Sequence, residues 1–243
     1  AFRRMEADFA TLVREQPDPA WQFDELIIDE GQDFTEPWRD ALLALLKPAG
    51  RAWWLEDPLQ NLYDRPPVAL PGWVGLSADT NYRTPADVLA LLNARLPLPA
   101  PVRAGSPVTD SEPEIFAWRD EAGLMDATKR AITRALGLGF RRDAIVLLTF
   151  RGREHSRFTP LDHLGPHRLR AFTGRYDLLG NPILTDGDVL IDSVHRFKGR
   201  AAPCVILTEI DFATLDDAAI RRLFVGATRA TLKLILVATD SAA

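Results

Sequence analysis

Three carboxylates crowd the stretch Asp29-Glu30-Gly31-Gln32-Asp33, and the apolar run Leu26-Ile27-Ile28 leads directly into it. An apolar strand that ends in acids delivers them to the rim where open α/β sheets bind ligands. Adjacent Asp and Glu at such a rim suit magnesium–nucleotide chemistry, with one carboxylate beside the metal and the other beside a water. An isolated Asp-Glu pair is more often just an acidic turn after a core strand. Gln32 and Asp33 make this pair less easily dismissed.

Four further runs have residue types that fit the same chemistry. Glu56-Asp57-Pro58-Leu59-Gln60-Asn61-Leu62-Tyr63 again follows an apolar run. The Gln60 amide offers both donor and acceptor to a γ-phosphate or an attacking water, and Tyr63 offers a base a stacking face. In Asn81-Tyr82-Arg83-Thr84-Pro85, an Arg beside an aromatic can grip phosphate bidentately while the ring stacks. Ile191-Asp192-Ser193-Val194-His195-Arg196-Phe197-Lys198-Gly199 carries Ser193, His195 and Lys198 as candidate phosphate contacts. In Arg221 to Ala230, helical spacing sets Arg222 and Arg229 about two turns apart on similar faces. An Arg late in a second domain can neutralise charge on a transferring phosphoryl group. Singly, each run has a plainer explanation: a turn with a capping Gln, a surface Arg beside a half-buried Tyr, a solvated loop His or Lys.

The elements that must position these runs alternate in type. Residues 1–20 read as helix, with Phe2, Met5, Phe9, Leu12 and Val13 at helical spacing, stopping near Pro17 and Pro19. Strand 23–29 follows, then a helix from a Thr35 cap to about Lys47, ended by Pro48-Ala49-Gly50. Strands are expected at 51–56 and 73–77, and a helix over 84–96 with Thr84 as cap and Pro85 at its first position. Pro97, Pro99, Pro101, Pro107 and Pro113 punctuate the next stretch, and residues 101–113 are expected to link two domains, 1–100 and 114–243. Beyond it come strand 114–118, helix 120–137 and strand 144–149, then an irregular stretch over 151–186. Strands 188–193 and 203–210, helix 216–228 and strand 232–238 complete the chain. Such alternation predicts an α/β fold with mostly parallel sheets covered on both faces.

Bulk properties narrow the function classes. Hydrophobic residues make up 47% and charged residues 26%, ordinary globular composition. The net charge of −5 argues against a histone-like basic protein, while local patches can still meet phosphates. The single cysteine, Cys204, excludes an intrachain disulfide and any zinc cluster of several thiolates. No apolar run approaches spanning length and no signal-peptide pattern opens the chain, so no membrane partner and a cytoplasmic location are expected. The chain contains no Gly-rich loop ending in Gly-Lys-Ser/Thr, the usual cradle for nucleotide phosphates. Either it is a fragment or it binds no nucleotide by that route.

Taken in order, the five runs resemble the later motifs of superfamily 1 helicases of the UvrD/Rep type, over roughly residues 20–240. Asp-Glu-Gly-Gln-Asp resembles the Walker B motif, Asp-Pro-Leu-Gln-Asn-Leu-Tyr the third motif and Asn-Tyr-Arg-Thr the fourth. Ser-Val-His-Arg-Phe-Lys-Gly resembles the fifth and Val-Gly-Ala-Thr-Arg-Ala the sixth. The resemblance implies two RecA-like P-loop NTPase lobes, the first truncated at its N-terminus. It implies ATP and Mg²⁺ as cofactors, single-stranded or partly duplex DNA as partner, and a missing N-terminal portion of the same protein. Asp29 would ligand Mg²⁺, Glu30 would activate the hydrolytic water and Gln60 would sense the γ-phosphate. Tyr82 would stack on adenine, Arg83 and Arg229 would contact the γ-phosphate, and Lys198 and Gly199 would lie on the nucleotide side. Tyr63, Ser193 and His195 would lie on the DNA side.

This chain departs from the family's pattern in three ways. The phosphate-loop Lys and Thr and the adenine-reading Gln are absent. The family's fifth motif continues Lys-Gly-Leu-Glu where this chain has Lys198-Gly199-Arg200-Ala201. The interval from Thr84 to Ile191 is too short for the large inserted subdomain of the long family members. A fragment without the phosphate cradle is expected to bind ATP weakly and hydrolyse almost none. Two rivals remain: a helicase-derived interaction module without motor activity, and a small-molecule α/β enzyme using Asp29 and Glu30 with a metal. The second explains none of the arginine runs.

Overall fold

Apolar runs with no polar interruption make buried parallel strands, and such strands organise the second half of this chain. The computed structural model describes Thr11 and residues 22–242; the helix expected over 1–20 lies outside the described residues apart from Thr11. The chain divides into two compact units, Ala1–Leu76 and Ser77–Ala243.

In the first unit, β1 (Phe23–Ile28) runs parallel to β2 (Leu46–Trp54), joined through the crossover helix α1 (Glu36–Leu43). Ile27 pairs with Trp53 and Ile28 with Trp54. One face is covered, with Phe34 set edge-on to Trp54 and to Trp38 at centroid distances of 5.6 and 5.7 Å. The other face leaves Ile27 67% and Trp53 47% exposed. The helix expected to reach Lys47 stops at Leu43, and Pro48-Ala49-Gly50, expected as its terminator, lies inside β2. A register shift between Phe23 and Glu25 absorbs that segment, and a bulge is where a strand tolerates a proline with no N–H to donate. No strand forms at 73–77: Val74 and Leu76 are both exposed, so the alternation there has no face to bury.

The second unit contains, in chain order, β3 (Thr80–Asn81), α2 (Ala86–Arg95), β4 (Arg103–Ala104), β5 (Glu114–Trp118), α3 (Glu121–Gly137) and β6 (Ile145–Thr149). Then come β7 (His163–Leu164), β8 (His167–Tyr176), β9 (Pro182–Leu184), β10 (Val189–Ser193), α4 (Val194–Phe197), β11 (Ala202–Ile210), α5 (Asp217–Ala227) and β12 (Ala230–Thr239). Strands β5-β12-β11-β6-β10-β8 lie side by side, all parallel, and β7 and β9 pair with β8 antiparallel. Every residue of β6 and β10 is buried. Leu147, Ile191, Ile206 and Ile235 pack with Leu124, Ala131 and Ile132 of α3 in one core. The fold is therefore α/β with a mostly parallel sheet.

Side-chain caps explain why these helix starts were legible. Asp120 accepts the Gly123 N–H at 2.7 Å, and Asp216 accepts that of Ala219 at 2.7 Å, each satisfying an N-terminal amide that lacks an intrahelical partner. At α2 the expected cap differs: Pro85 takes the cap position, and Thr84, buried, donates its hydroxyl to the Thr228 carbonyl at 3.3 Å. The proline-rich residues 101–113 fall inside the second unit, where Asn93 holds Val102 by two hydrogen bonds of 2.9 and 3.0 Å. The stretch 151–186, expected to be less regular, has no helix or strand over 151–162 and then contains the hairpin β8–β9. Among the described residues no helix is long and apolar enough to cross a membrane. Burial pushes the Cys204 thiol up to about 12, so it stays protonated and inert.

Candidate nucleotide and nucleic-acid sites

In the first unit the chain leaves β1 through a tight corner. Glu30 adopts a left-handed φ of 56°, and any Cβ on Gly31 would stand 2.2 Å from the Trp54 indole nitrogen. Only glycine fits there. The corner is fastened to the end of β2 by Gly31 N–H to the Leu55 carbonyl at 2.8 Å. Asp29, exposed, accepts the Glu30 N–H at 2.8 Å.

Gln32, only 5% exposed, ties the first two runs together. Its Nε2 donates to Glu30 Oε2 at 2.6 Å, and its Oε1 accepts the Asp57 N–H at 3.0 Å. Asp57 in turn accepts the Leu59 N–H at 3.0 Å and Gln60 Nε2 at 2.8 Å. A continuous hydrogen-bonded path thus runs Glu30–Gln32–Asp57–Gln60. Sequence reasoning placed Glu30 and Gln60 in the site and missed Gln32 and Asp57 as its frame. A buried amide with both donor and acceptor between two acid-bearing strand ends was the available signal. Tyr63 is 54% exposed, with the Arg65 guanidinium 5.8 Å from its ring centre.

In the second unit, the parallel strands again end in polar groups. Ser193 closes β10 and caps α4 by accepting the Arg196 N–H at 3.3 Å. Buried Asp192 accepts Arg196 Nε at 3.2 Å. His195 and Lys198 on and after α4 are half-buried, and Gly199 has a φ of 78° that strains any other residue. Tyr82 is 75% exposed and Arg83 is exposed. Their turn is shaped by Asn81, whose Oδ1 accepts the N–H groups of Arg83 and Thr84 at 3.0 and 2.9 Å.

Arg229 does not share a helix face with Arg222. Helix α5 ends at Ala227, and Arg229 lies in the turn before β12. Its side chain is buried, donating to the carbonyls of Val225 at 3.0 Å and Arg200 at 3.4 Å and to the Thr228 hydroxyl at 3.2 Å. Together with the Thr84–Thr228 bond, this fastens the Asn81–Thr84 turn, the loop after α4 and the end of α5 to one corner. A network that sequence reasoning missed lies at the ends of β6 and β11. Glu209 is fully buried with a left-handed φ of 62°, accepts the Arg157 N–H at 2.7 Å and takes the Thr149 hydroxyl. Arg151 sits beside it, bound to Asp211 at 2.6 Å.

Among the described residues no group of three or more His, Cys, Asp or Glu could hold a metal ion. Mg²⁺ bound with a nucleotide generally takes only one or two carboxylates plus phosphate oxygens. The exposed Asp29 carboxylate at a parallel strand end fits that donor set.

Residues 188–237 match the family model of the UvrD-like helicase C-terminal domain. This stretch contains Ser193, His195, Lys198 and Arg229, so the helicase resemblance read from the last two runs stands. Among solved structures, the chain is similar to the C-terminal domain of a possible DNA helicase from Lactobacillus plantarum WCFS1. The identity is 12%, over 65% of this chain and 88% of that one, with a TM-score of 0.45. It is also similar to arterivirus nonstructural protein 10, a helicase solved with DNA, at 16% identity over 88% of this chain and 39% of that one, with a TM-score of 0.41. No curated protein matches the chain.

Proposed function

We propose that this chain is part of an ATP-dependent DNA helicase or translocase, in which two RecA-like lobes couple ATP hydrolysis to movement on single-stranded DNA. The observation that carries the reading is the UvrD-like helicase match over 188–237, which spans two of the five strand-end runs. The first unit would belong to one lobe and the second unit to the other. Asp29 would hold Mg²⁺ and Glu30 would take the proton of the attacking water, oriented by Gln32. Gln60, fixed by Asp57, would report on the terminal phosphate. Bound ATP would supply the phosphoryl group whose transfer drives the motor. Tyr82, Arg83, Lys198 and Gly199 would contact the nucleotide, and Tyr63, Ser193 and His195 would face single-stranded or partly duplex DNA. Arg229 would act on the phosphoryl charge, either directly or by bracing the corner that carries Lys198 and Arg83.

The test is ATP hydrolysis, with and without single-stranded DNA, by the protein carrying this chain together with a phosphate-binding loop. DNA is expected to stimulate turnover, and Glu30→Gln to lower it by about 100-fold or more, the scale of a lost general base. Turnover indifferent to both DNA and Glu30 would sink the motor reading. A second reading, an interaction module without motor activity, is favoured by the buried Arg229 guanidinium and by Ala201 in place of the family's Glu. It predicts DNA binding with no hydrolysis at all.

A further inference from the structure

The parallel strands of the second unit have another edge, at the ends opposite Ser193 and Glu209. There a cavity of about 490 Å³ opens, walled by Leu136 near the end of α3, Arg141 and Arg142 before β6, Arg170 on β8, and Gly187 and Asp188 before β10. The five residues of β10 separate Asp188 from Ser193, about 16 Å at the usual strand rise. A Cβ on Gly187 would stand 2.4 Å from the Leu169 carbonyl oxygen. Glycine thus lets the turn before β10 press against β8 beside Arg170.

The three guanidiniums differ in how well they are matched. Arg141 is saturated by Asp143, through bonds of 3.1 and 2.7 Å. Arg142 faces Asp188 at 3.7 Å, too long for a hydrogen bond. Arg170 is half-buried, its Nε is shielded from water without an acceptor, and among the described residues none takes a hydrogen bond from its guanidinium. A charged donor withdrawn from water and left unpaired is costly, and a native structure that keeps one calls for a reason. The positive field also reaches inward. Burial, then the charges of Arg142 and Lys129, lower the pKa of His167 on β8.

We propose that this cavity binds the phosphate monoester of a small organic molecule, with Arg170 and Arg142 on the phosphate and Leu136 against the organic part. The planar fork of a guanidinium matches phosphate oxygens bidentately. One unmatched and one loosely matched cation suit a group that carries about −1.5 to −2 at neutral pH, whereas a carboxylate would answer only one of them. The volume falls in the usual range for organic ligands, roughly 300–1,000 Å³, and is roomier than a bare ion needs. The proposal stands apart from the motor reading, whose candidate nucleotide residues Lys198 and Gly199 lie beyond the far end of β10.

The test is a titration of the chain with phenyl phosphate, a monoester with no nucleoside, followed by amide NMR. Saturable shifts are expected at residues 168–170 and 186–188 and in the turn 141–143. Arg170→Gln and, separately, Arg142→Gln should each weaken binding by about tenfold or more. Arg168→Gln removes a nearby charge already paired with Asp186 at 2.8 Å and should leave affinity within about twofold. Dispersed amide spectra check that each variant is folded, and exposed Arg142 keeps the test decisive if Arg170→Gln unfolds. Absence of saturable shifts overturns the site, as do shifts gathered at 81–84 and 198–200. An equal loss in Arg168→Gln assigns the binding to bulk charge and overturns it too. Inorganic phosphate bound as tightly as phenyl phosphate means an adventitious ion only. A phosphoserine peptide bound about tenfold tighter than phenyl phosphate means a docking site for a protein. Either result overturns the small-molecule site.

Discussion

The two units position their polar strand-end residues by different means. In the first, the strand pair β1–β2 leaves a face open, and the acids are held by a hydrogen-bonded path from Glu30 through Gln32 and Asp57 to Gln60. In the second, β6 and β10 are buried at every residue, and the polar residues at their ends stand on a packed core. The difference predicts where each unit is fragile. Geometry in the first should depend on a few polar groups, and geometry in the second on volume.

The largest expected effect tests the second half of that contrast. Leu147→Ala, at the centre of β6, should cost about 2–5 kcal/mol, the range for a large aliphatic truncated in a core. Ile27→Ala on the open face of β1 should stay within about 0.5 kcal/mol. Urea unfolding followed by hydrogen exchange of each unit's strands would show it. Equal costs would mean that the exposed face of β1 is not exposed in solution.

Arg229 comes next, because it combines both modes. Arg229→Met retains much of the apolar stem but removes the donors to the carbonyls of Val225 and Arg200 and to the Thr228 hydroxyl. The cost should be about 2–3 kcal/mol, the scale of hydrogen bonds to a charged group. Faster exchange should concentrate at the end of α5 and the loop after α4. An Arg229 engaged only with a ligand would leave stability unchanged on substitution and alter hydrolysis alone.

A smaller effect is expected at Gln32. Gln32→Ala leaves the Asp57 N–H without the Gln32 acceptor and removes the Gln32 donation to Glu30, worth about 1–2 kcal/mol locally. Exchange should quicken at residues 29–33 and 57–60 and leave β6 and β10 untouched. Protection lost across β10 as well would show that the two units do not respond separately.

This contrast also sorts what was legible in the sequence. The second unit's main strands were readable because short apolar runs such as Ile145–Leu148, bounded by turn residues, suit buried strands, and Asp120 and Asp216 stand where the structure caps its helices. The runs at Asp29, Glu56 and Asp192 were readable for the same reason, since each follows an apolar run. What escaped depends on contacts distant in the chain. Pro48–Gly50 reads as a helix terminator until a register shift in β1–β2 gives it a place in a strand. Arg229 reads as a helix-face residue because spacing alone does not show α5 stopping at Ala227. Hairpin β8–β9 escaped because its outer residues are exposed and its polar and apolar positions follow no single period.

The smallest predicted effect separates the units by titration. All four histidines fall in the second unit's sequence, and His167 is the buried one, its Nε2 3.1 Å from the Thr133 hydroxyl and its Nδ1 without a partner. Burial, reinforced by the nearby charges of Arg142 and Lys129, lowers its pKa below the ordinary value. The folded state therefore binds fewer protons than the unfolded chain once the pH falls below about 6.5, the unperturbed histidine value. Stability contributed by neutral His167 should be fully present above that pH and decline as the pH falls towards the lowered folded value. His167→Gln keeps a polar side chain without the titration and should flatten this decline in the exchange of β8 and α3. The strands of the first unit, with no histidine, should show no such difference between wild type and variant. A slope that survives the substitution would assign the pH response to another group.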